Sequence, residues 1–584
     1  MKSFHGKLLR INLSKQKSSV ENIEESTFRE NLGGKGLGTS LLLNEVKADV
    51  DPLGTKNKII FVTGCASDSN HPAASRYGVI SKSPLTGIYA ESYSGGAVAP
   101  VMKATGYDAI IIEGTSNKAV AIIIKNSQVE FINADSIWGS NAYEAEDYLL
   151  KVTGDKGAQA LVIGPAGENM VRFACIKNNK WRTAGRTGLG AVMGSKKLKG
   201  IAFHGNNKVE PFDTEKVKSL ISKVRKDGKA SDGTKAYTLY GTPMMVNILN
   251  NVNSFPTRYW HQGQSESVEY LNADYMNSNM KVKPKACKGC FIACGKMTEI
   301  LQGKYKGLTI EGPEYETIYA FGGLCCLKTL EEVAYLNDLC DSLGVDTMST
   351  GNLAALTIEA GLKGIIKETP KYGDTEGIAD LIRDIVHKKG HGKVLAEGIK
   401  VAAEKWGLNE YAIHVKGMEP AGYDPRILKG MGLAYATSGR GACHLRATFY
   451  KPELSGIIAP DQIEGKAKLF IDYEDRMTIF DTFVFCRFYR DLIDWSDLQE
   501  LIEAYTGMAL NQNELRDMAN KITTMSRQFN MDAGITRADD ALPPRYYDEP
   551  LGENGEYRIT RDEIDTMVSE YYALRNWNCD GVPL

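Results

Sequence analysis

The sequence predicts an α+β protein, with a β-rich N-terminal part over residues 1–210 and mainly helical chain after it. Up to about residue 210 the apolar residues alternate with period two or come in short β-branched runs between glycine-rich turns. After Pro211 the apolar period becomes that of an amphipathic helix. The length, 584 residues, is more than one hydrophobic core serves and predicts two to four domains.

The elements follow in order. Leu9-Arg10-Ile11-Asn12-Leu13 alternates as a half-buried strand does, and residues 58–62, 109–112 and 121–124 are short strand-forming runs. Beyond Pro211, Val217, Leu220, Ile221 and Val224 recur at helical spacing. So do Ile378, Leu381, Ile382, Ile385 and Val386, with Gly390 placed to close that helix. Thr329-Leu330-Glu331-Glu332 is a capping box that opens a helix stopping at Gly344.

Charge excludes some partners. Seventy basic residues face 72 acidic ones, a net of -2, so neither nucleic acid nor an anionic membrane surface is expected as a partner. No run of about 18 apolar residues occurs, so no membrane span is expected. The first residues lack the apolar stretch of a secretory signal. With eleven cysteines, an odd number, the expected setting is a reducing cytoplasm, where grouped cysteines bind metal.

Three of them are grouped. Cys287, Cys290 and Cys294 form C-x2-C-x3-C, which brings three thiols to one soft metal centre. Structural zinc usually uses paired C-x2-C units, and there is no second one here. The spacing therefore favours an iron–sulfur cluster, with zinc as the alternative. A fourth ligand has to come from elsewhere. One short pattern, D-x4-[DC], occurs from Asp341 to Asp346 and again from Asp481 to Cys486, and the second copy supplies a candidate in Cys486.

Other segments are weaker signals. Glycine-rich stretches at 33–38 and 185–194 read either as phosphate cradles or as tight turns. Arg182 and Arg186 tilt the second towards phosphate, because guanidinium forks match phosphate oxygens. Tyr93 and Gly95 lie in another small-residue turn, and Arg76 is in the same region. Glu316 and His444 are acid/base candidates. From the residues alone, an exposed helix-start carboxylate and a hydrogen-bonded imidazole are the plainer readings.

Taken together, the segments resemble the tungsten-containing aldehyde ferredoxin oxidoreductase family nearly end to end. The most specific matches are Ser81-Lys82-Ser83-Pro84-Leu85-Thr86-Gly87, the 184–196 stretch, the cysteine triplet, Gly312-Pro313-Glu314-Tyr315-Glu316, Tyr423-Asp424-Pro425-Arg426 and Gly441-Ala442-Cys443-His444. The resemblance implies a β-rich base domain (1–210) for a bis-pterin cofactor carrying tungsten or molybdenum. Two helical domains follow, 211–417 with the cysteine triplet and first pterin turn, and 418–584 with the catalytic His and second turn.

It also implies roles. Cys287, Cys290, Cys294 and Cys486 would ligate a [4Fe–4S] cluster. Asp341 and Asp481 would hold the pterin amines, with Val345 and Asp346 in the first pterin turn. Arg76 would lie between pterin and cluster. Tyr93, Gly95, Arg182, Thr183, Gly185 and Arg186 would surround the pterin phosphates and a bridging magnesium. Glu316 and His444 would stand near the metal. The implied reaction oxidises a small aldehyde to a carboxylate with water, and the partner is ferredoxin or a polyferredoxin-like subunit. The other readings are a benzoyl-CoA-reductase-like ring-reducing subunit and a non-catalytic iron–sulfur carrier.

Departures from the pattern are local. Tyr93 replaces a common Asn, Arg446 replaces Lys and would alter substrate contacts, and the second turn reads Asp481-Thr482-Phe483-Val484-Phe485-Cys486. An oligomer is expected. It would not form through the E-x2-H iron site of some relatives, because Tyr335 and Asp338 stand at those positions.

Overall fold

The computed structural model describes all of residues 1–584. The expected β-rich part consists of two six-stranded sheets. The first contains β1 (Lys7–Asn12), β2 (Lys17–Asn22), β3 (Ile59–Val62), β4 (Tyr77–Lys82), β5 (Tyr89–Ser94) and β6 (Ala109–Glu113), in the order β2-β1-β6-β3-β4-β5. The second contains β7 (Val120–Lys125), β8 (Gln128–Asn133), β9 (Gln159–Val162), β10 (Ile176–Asn178), β11 (Arg182–Ala184) and β12 (Leu198–His204), in the order β11-β10-β9-β12-β7-β8. The four runs read as strands from the sequence are β1, β3, β6 and β7. The strands β3 and β4 are buried along their whole length, which is why β3 reads as an unbroken apolar run.

From Thr214 onward the chain is mainly helical, with one three-stranded sheet, residues 280–311, around the cysteine triplet. Helix Thr214–Ala230 buries Val217, Leu220 and Val224, and helix Thr375–His387 buries all five of the apolar residues that predicted it. The Thr329 capping box forms, and Gly344 ends the helix Leu330–Leu343 at φ 77°. Gly390 does not close helix Thr375–His387. Lys388 does so at φ 53°, because its N–H and that of Lys389 bond back to Ile385 and Asp384. The largest hydrophobic cluster joins residues of 166–191, beside the second sheet, to residues of both helical parts, while residues of 217–224 and 477–529 pack in a second cluster against the first sheet. No helix is long and apolar enough to cross a membrane.

The glycine-rich stretch at 33–38 is not a tight turn. It opens helix Gly34–Glu45. A Cβ on Gly34 would lie 2.3 Å from the Asp481 carbonyl, so the glycine lets this helix approach the end of helix Lys466–Phe483. In the 185–194 stretch, Gly190 and Gly194 likewise admit backbone, the carbonyls of Cys175 and Gly167.

Candidate active site

The helices Leu330–Leu343 and Lys466–Phe483 end alike. Asp341 lies three residues before Gly344 (φ 77°), and Asp481 three before Val484 (φ 56°); each of these later residues turns left-handed. The recurring D-x4-[DC] spacing is thus the signature of two similar helix ends, each aiming a carboxylate out of its last turn. Both carboxylates are buried and held by cations. Asp341 pairs with Lys177 from β10 and accepts from Asn337 Nδ2 at 2.7 Å. Asp481 Oδ2 receives Arg446 at 3.0 Å and Arg487 at 2.6 Å.

Between the sheets and helices lies a cavity of about 310 Å³. Cys287, Cys290, Cys294 and Cys486 all line it, as do Arg76, Tyr93, Gly95, Arg182, Thr183, Gly185, Glu316, Asp341, Val345 and Asp346. Cys486 is set by its N–H bonding to the Ala73 carbonyl at 2.9 Å, just past the second helix end. Cys287 Sγ accepts from Gly96 N at 3.2 Å, and Cys290 Sγ lies 3.1 Å from the Tyr489 hydroxyl. No three His, Cys, Asp or Glu side chains close on one ion position.

Three candidates do not line the cavity. Arg186 is buried and donates to the Glu419 carbonyl at 2.7 Å and to its carboxylate at 3.0 Å. Asp481 sits in its arginine pair. His444 stands behind Glu316, with Nε2 3.3 Å from Glu316 Oε1. Arg182 is paired with Glu311, and Arg76 donates to the Tyr93 carbonyl at 3.0 Å. Arg446 is bound to Glu91 at 2.5 Å as well as to Asp481, so it braces the second helix end. Neither position of the E-x2-H site is free: Tyr335 accepts from Arg383, and Asp338 from Tyr143, each at 2.9 Å.

Glu316 lies within the short helix Tyr315–Thr317, which widens into the π-helical turn Ile318–Gly323. Such wide turns recur at functional sites. The side chain is half-buried at the cavity wall rather than exposed, with Oε1 shut off from solvent. Tyr315 and Tyr319 pack on Gly422, where a Cβ would lie 2.6 Å from the Tyr319 ring, and the Gly422 N–H donates to Glu316 Oε2 at 3.1 Å. Burial raises the Glu316 pKa to about 8, against the lowering pull of that N–H and of Arg186. Burial also pushes His444 well below its usual value, and Arg440, Arg186, Arg487 and Arg446 push it further. Burial thus favours a protonated carboxyl beside a neutral imidazole.

Buried polar atoms without a hydrogen bond gather here: Glu419 Oε1, Arg186 Nε, Arg446 Nε, Arg487 Nη1, and Glu316 Oε1, which has only its 3.3 Å contact with His444. Such groups are costly unless satisfied, and these donors and acceptors fit a charged, amine-bearing ligand. The residues present thus suit a pterin and a cluster.

The comparisons with known proteins fall on this arrangement. Residues 8–205 match the family model "Aldehyde ferredoxin oxidoreductase, N-terminal domain", and residues 219–584 match "Aldehyde ferredoxin oxidoreductase, domains 2 & 3". The chain belongs to the aldehyde ferredoxin oxidoreductase family. It is 36% identical over 592 residues to a tungsten-containing aldehyde ferredoxin oxidoreductase of Pyrococcus furiosus, covering 99% of this chain and 96% of that one. It is 29% identical to the WOR-like subunit of an aliphatic sulfonate oxidoreductase from the same organism, covering 100% and 96%. Among solved structures, the active-site complex BamBC of benzoyl coenzyme A reductase matches with a TM-score of 0.87 at 22% identity, covering 100% of this chain and 96% of that one. That likeness is one of fold.

Sequence reasoning missed Asn337 and Lys177. Asn337 was within reach, since it lies four residues before Asp341 on one helix face. Lys177 arrives from a distant strand and leaves no local signal. The buried Glu419, which anchors Arg186 and accepts from Ser349 Oγ at 2.6 Å, was also missed.

Proposed function

We propose that this chain oxidises an aldehyde to the carboxylate, with tungsten or molybdenum held between two pterins in the central cavity. A [4Fe–4S] cluster would sit on Cys287, Cys290, Cys294 and Cys486. The overall change is aldehyde plus water to carboxylate, with two electrons and three protons released. When bound, the metal–pterin centre supplies the two-electron acceptor, and the cluster supplies a route for single electrons towards ferredoxin.

The chain's own residues do the rest. Asp341 and Asp481, each fixed by a cation at a helix end, would bind the pterin amines. Val345 and Asp346 would complete the first turn. Tyr93, Gly95, Arg182, Thr183, Gly185 and Arg186 would meet the pterin phosphates and a magnesium ion, and Arg76 would lie between pterin and cluster. Glu316, as carboxylate, would take the proton from water or the hydrated aldehyde, and His444 would donate a hydrogen bond to the oxygen gaining charge. The division into 1–210, 211–417 and 418–584 belongs to this reading.

The observation that carries it is the Glu316–His444 pair at 3.3 Å beside a cavity lined by all four cysteines. Glu316→Gln should lower turnover roughly 10²–10⁴-fold with metal content unchanged. Turnover at the wild-type rate overturns the base assignment.

A further inference from the structure

A second cavity, of about 280 Å³, lies beside the catalytic pair. Its wall is largely apolar and aromatic, with Tyr237, Met244, Met245, Tyr450, Leu454 and Phe488. Phe488 also lines the central cavity. The Tyr450 ring lies 6.4 Å from the His444 imidazole and is stacked at 4.2 Å on Tyr423, which is 5.5 Å from His444. One aromatic ring therefore separates this cavity from the imidazole.

Arg490 is set in the same wall and is only 3% exposed. Its Nη1 donates to the Arg487 carbonyl at 2.9 Å, its guanidinium carbon is 5.9 Å from the Tyr450 ring, and its Nε has no partner. No carboxylate forms an ion pair with it; Asp491, next in sequence and in the same wall, is paired with Lys451, and its charge acts on Arg490 only at longer range. Three other buried arginines pair with carboxylates, Arg426 with Asp424, Arg545 with Glu359, and Arg575 with Glu474 and Asp475, whereas buried Arg440 donates to Cys443 Sγ and the Glu91 carbonyl. A buried guanidinium without a directly bonded carboxylate is costly, and in a largely apolar pocket it is suited to an organic anion. The two methionines let such a pocket adapt its shape.

We propose that this cavity receives the body of the substrate and that Arg490 pairs with an anionic group at its far end. The preferred substrates are then aldehydes bearing a carboxylate across an aromatic ring or a short chain. The proposal rests on the aldehyde oxidation argued above.

The test uses metal-loaded protein under anaerobic conditions, with a viologen dye as acceptor and benzaldehyde or 4-carboxybenzaldehyde as substrate. Wild type should favour the carboxylated aldehyde in kcat/KM by at least about tenfold. Arg490→Gln should remove most of that ratio through KM, Arg490→Lys should keep part of it, and metal and pterin content should stay the same. No preference in wild type overturns the proposal. So does pterin loss in Arg490→Gln, which would assign the guanidinium to the cofactor. Terephthalate binding, followed by protein fluorescence, separates this idea from the activity. If neither aldehyde is oxidised, the pocket does not take aromatic aldehydes and that part of the proposal fails. Arg490-dependent terephthalate binding would then uphold the anion site, and its absence would overturn that too.

Discussion

At the residue scale, Glu316 shows how burial sets chemistry. Desolvation outweighs the Gly422 N–H and brings its pKa up to about 8. A step that needs the carboxylate should accelerate as pH rises, roughly tenfold per unit below that value, and level off above it. The stability effect has the opposite sense. The unfolded carboxyl has the usual value of 4.5, so between there and about 8 the folded chain binds the extra proton and loses stability as pH rises. Glu316→Gln removes that loss. Its melting temperature relative to wild type should climb from pH 5 to pH 8, while its activity stays low. A gap that does not change with pH contradicts the burial account. The sequence showed Glu316 within its motif but not its burial, because that depends on Tyr315, Tyr319 and Gly422 meeting in space.

At the element scale, two helices deliver two carboxylates by the same geometry. The spacing from Asp341 to Asp346 and from Asp481 to Cys486 was readable in the sequence, and the left-handed residue three places after each Asp explains it. At Gly344 a Cβ would lie 2.8 Å from Gly164 N, in a backbone region that disfavours side chains. Gly344→Ala should therefore cost on the order of 1–3 kcal/mol. It should also lower pterin content, because Asp341 would shift. Full pterin loading with unchanged stability would show that this helix end does not place Asp341. At the second end Val484 takes the left-handed turn without being glycine. Reading composition alone gave no sign of it, since a β-branched residue there is sterically disfavoured.

At the scale of the whole molecule, the cysteines close a loop of nearly two hundred residues. The triplet lies in the small sheet region, and Cys486 follows a helix in the last part of the chain. A cluster linking them would restrict the unfolded chain and tie the helical parts together. Cys486→Ser should lose iron and sulfide and lower thermal stability more than Cys579→Ser, since Cys579 is exposed and remote from the cavity. Equal losses for both would deny the long-range tie. The β-to-helix change near residue 211 and the strand runs were legible, because period and β-branching are local properties. The shared core of the helical parts was not, since contacts between distant segments leave no periodic trace. The same holds for Lys177 on Asp341 and for Arg490 beside Tyr450.

The central claim is that remote segments close round one metal–pterin and iron–sulfur centre that oxidises aldehydes. Elemental and sulfide analysis of anaerobically purified protein, with dye reduction by aldehydes measured on the same sample, tests it most directly. Tungsten or molybdenum should appear together with pterin, and with iron and inorganic sulfide in equal amounts, and added aldehyde should reduce the dye. A colourless protein lacking these elements, or a fully loaded one inert to every aldehyde, contradicts the account.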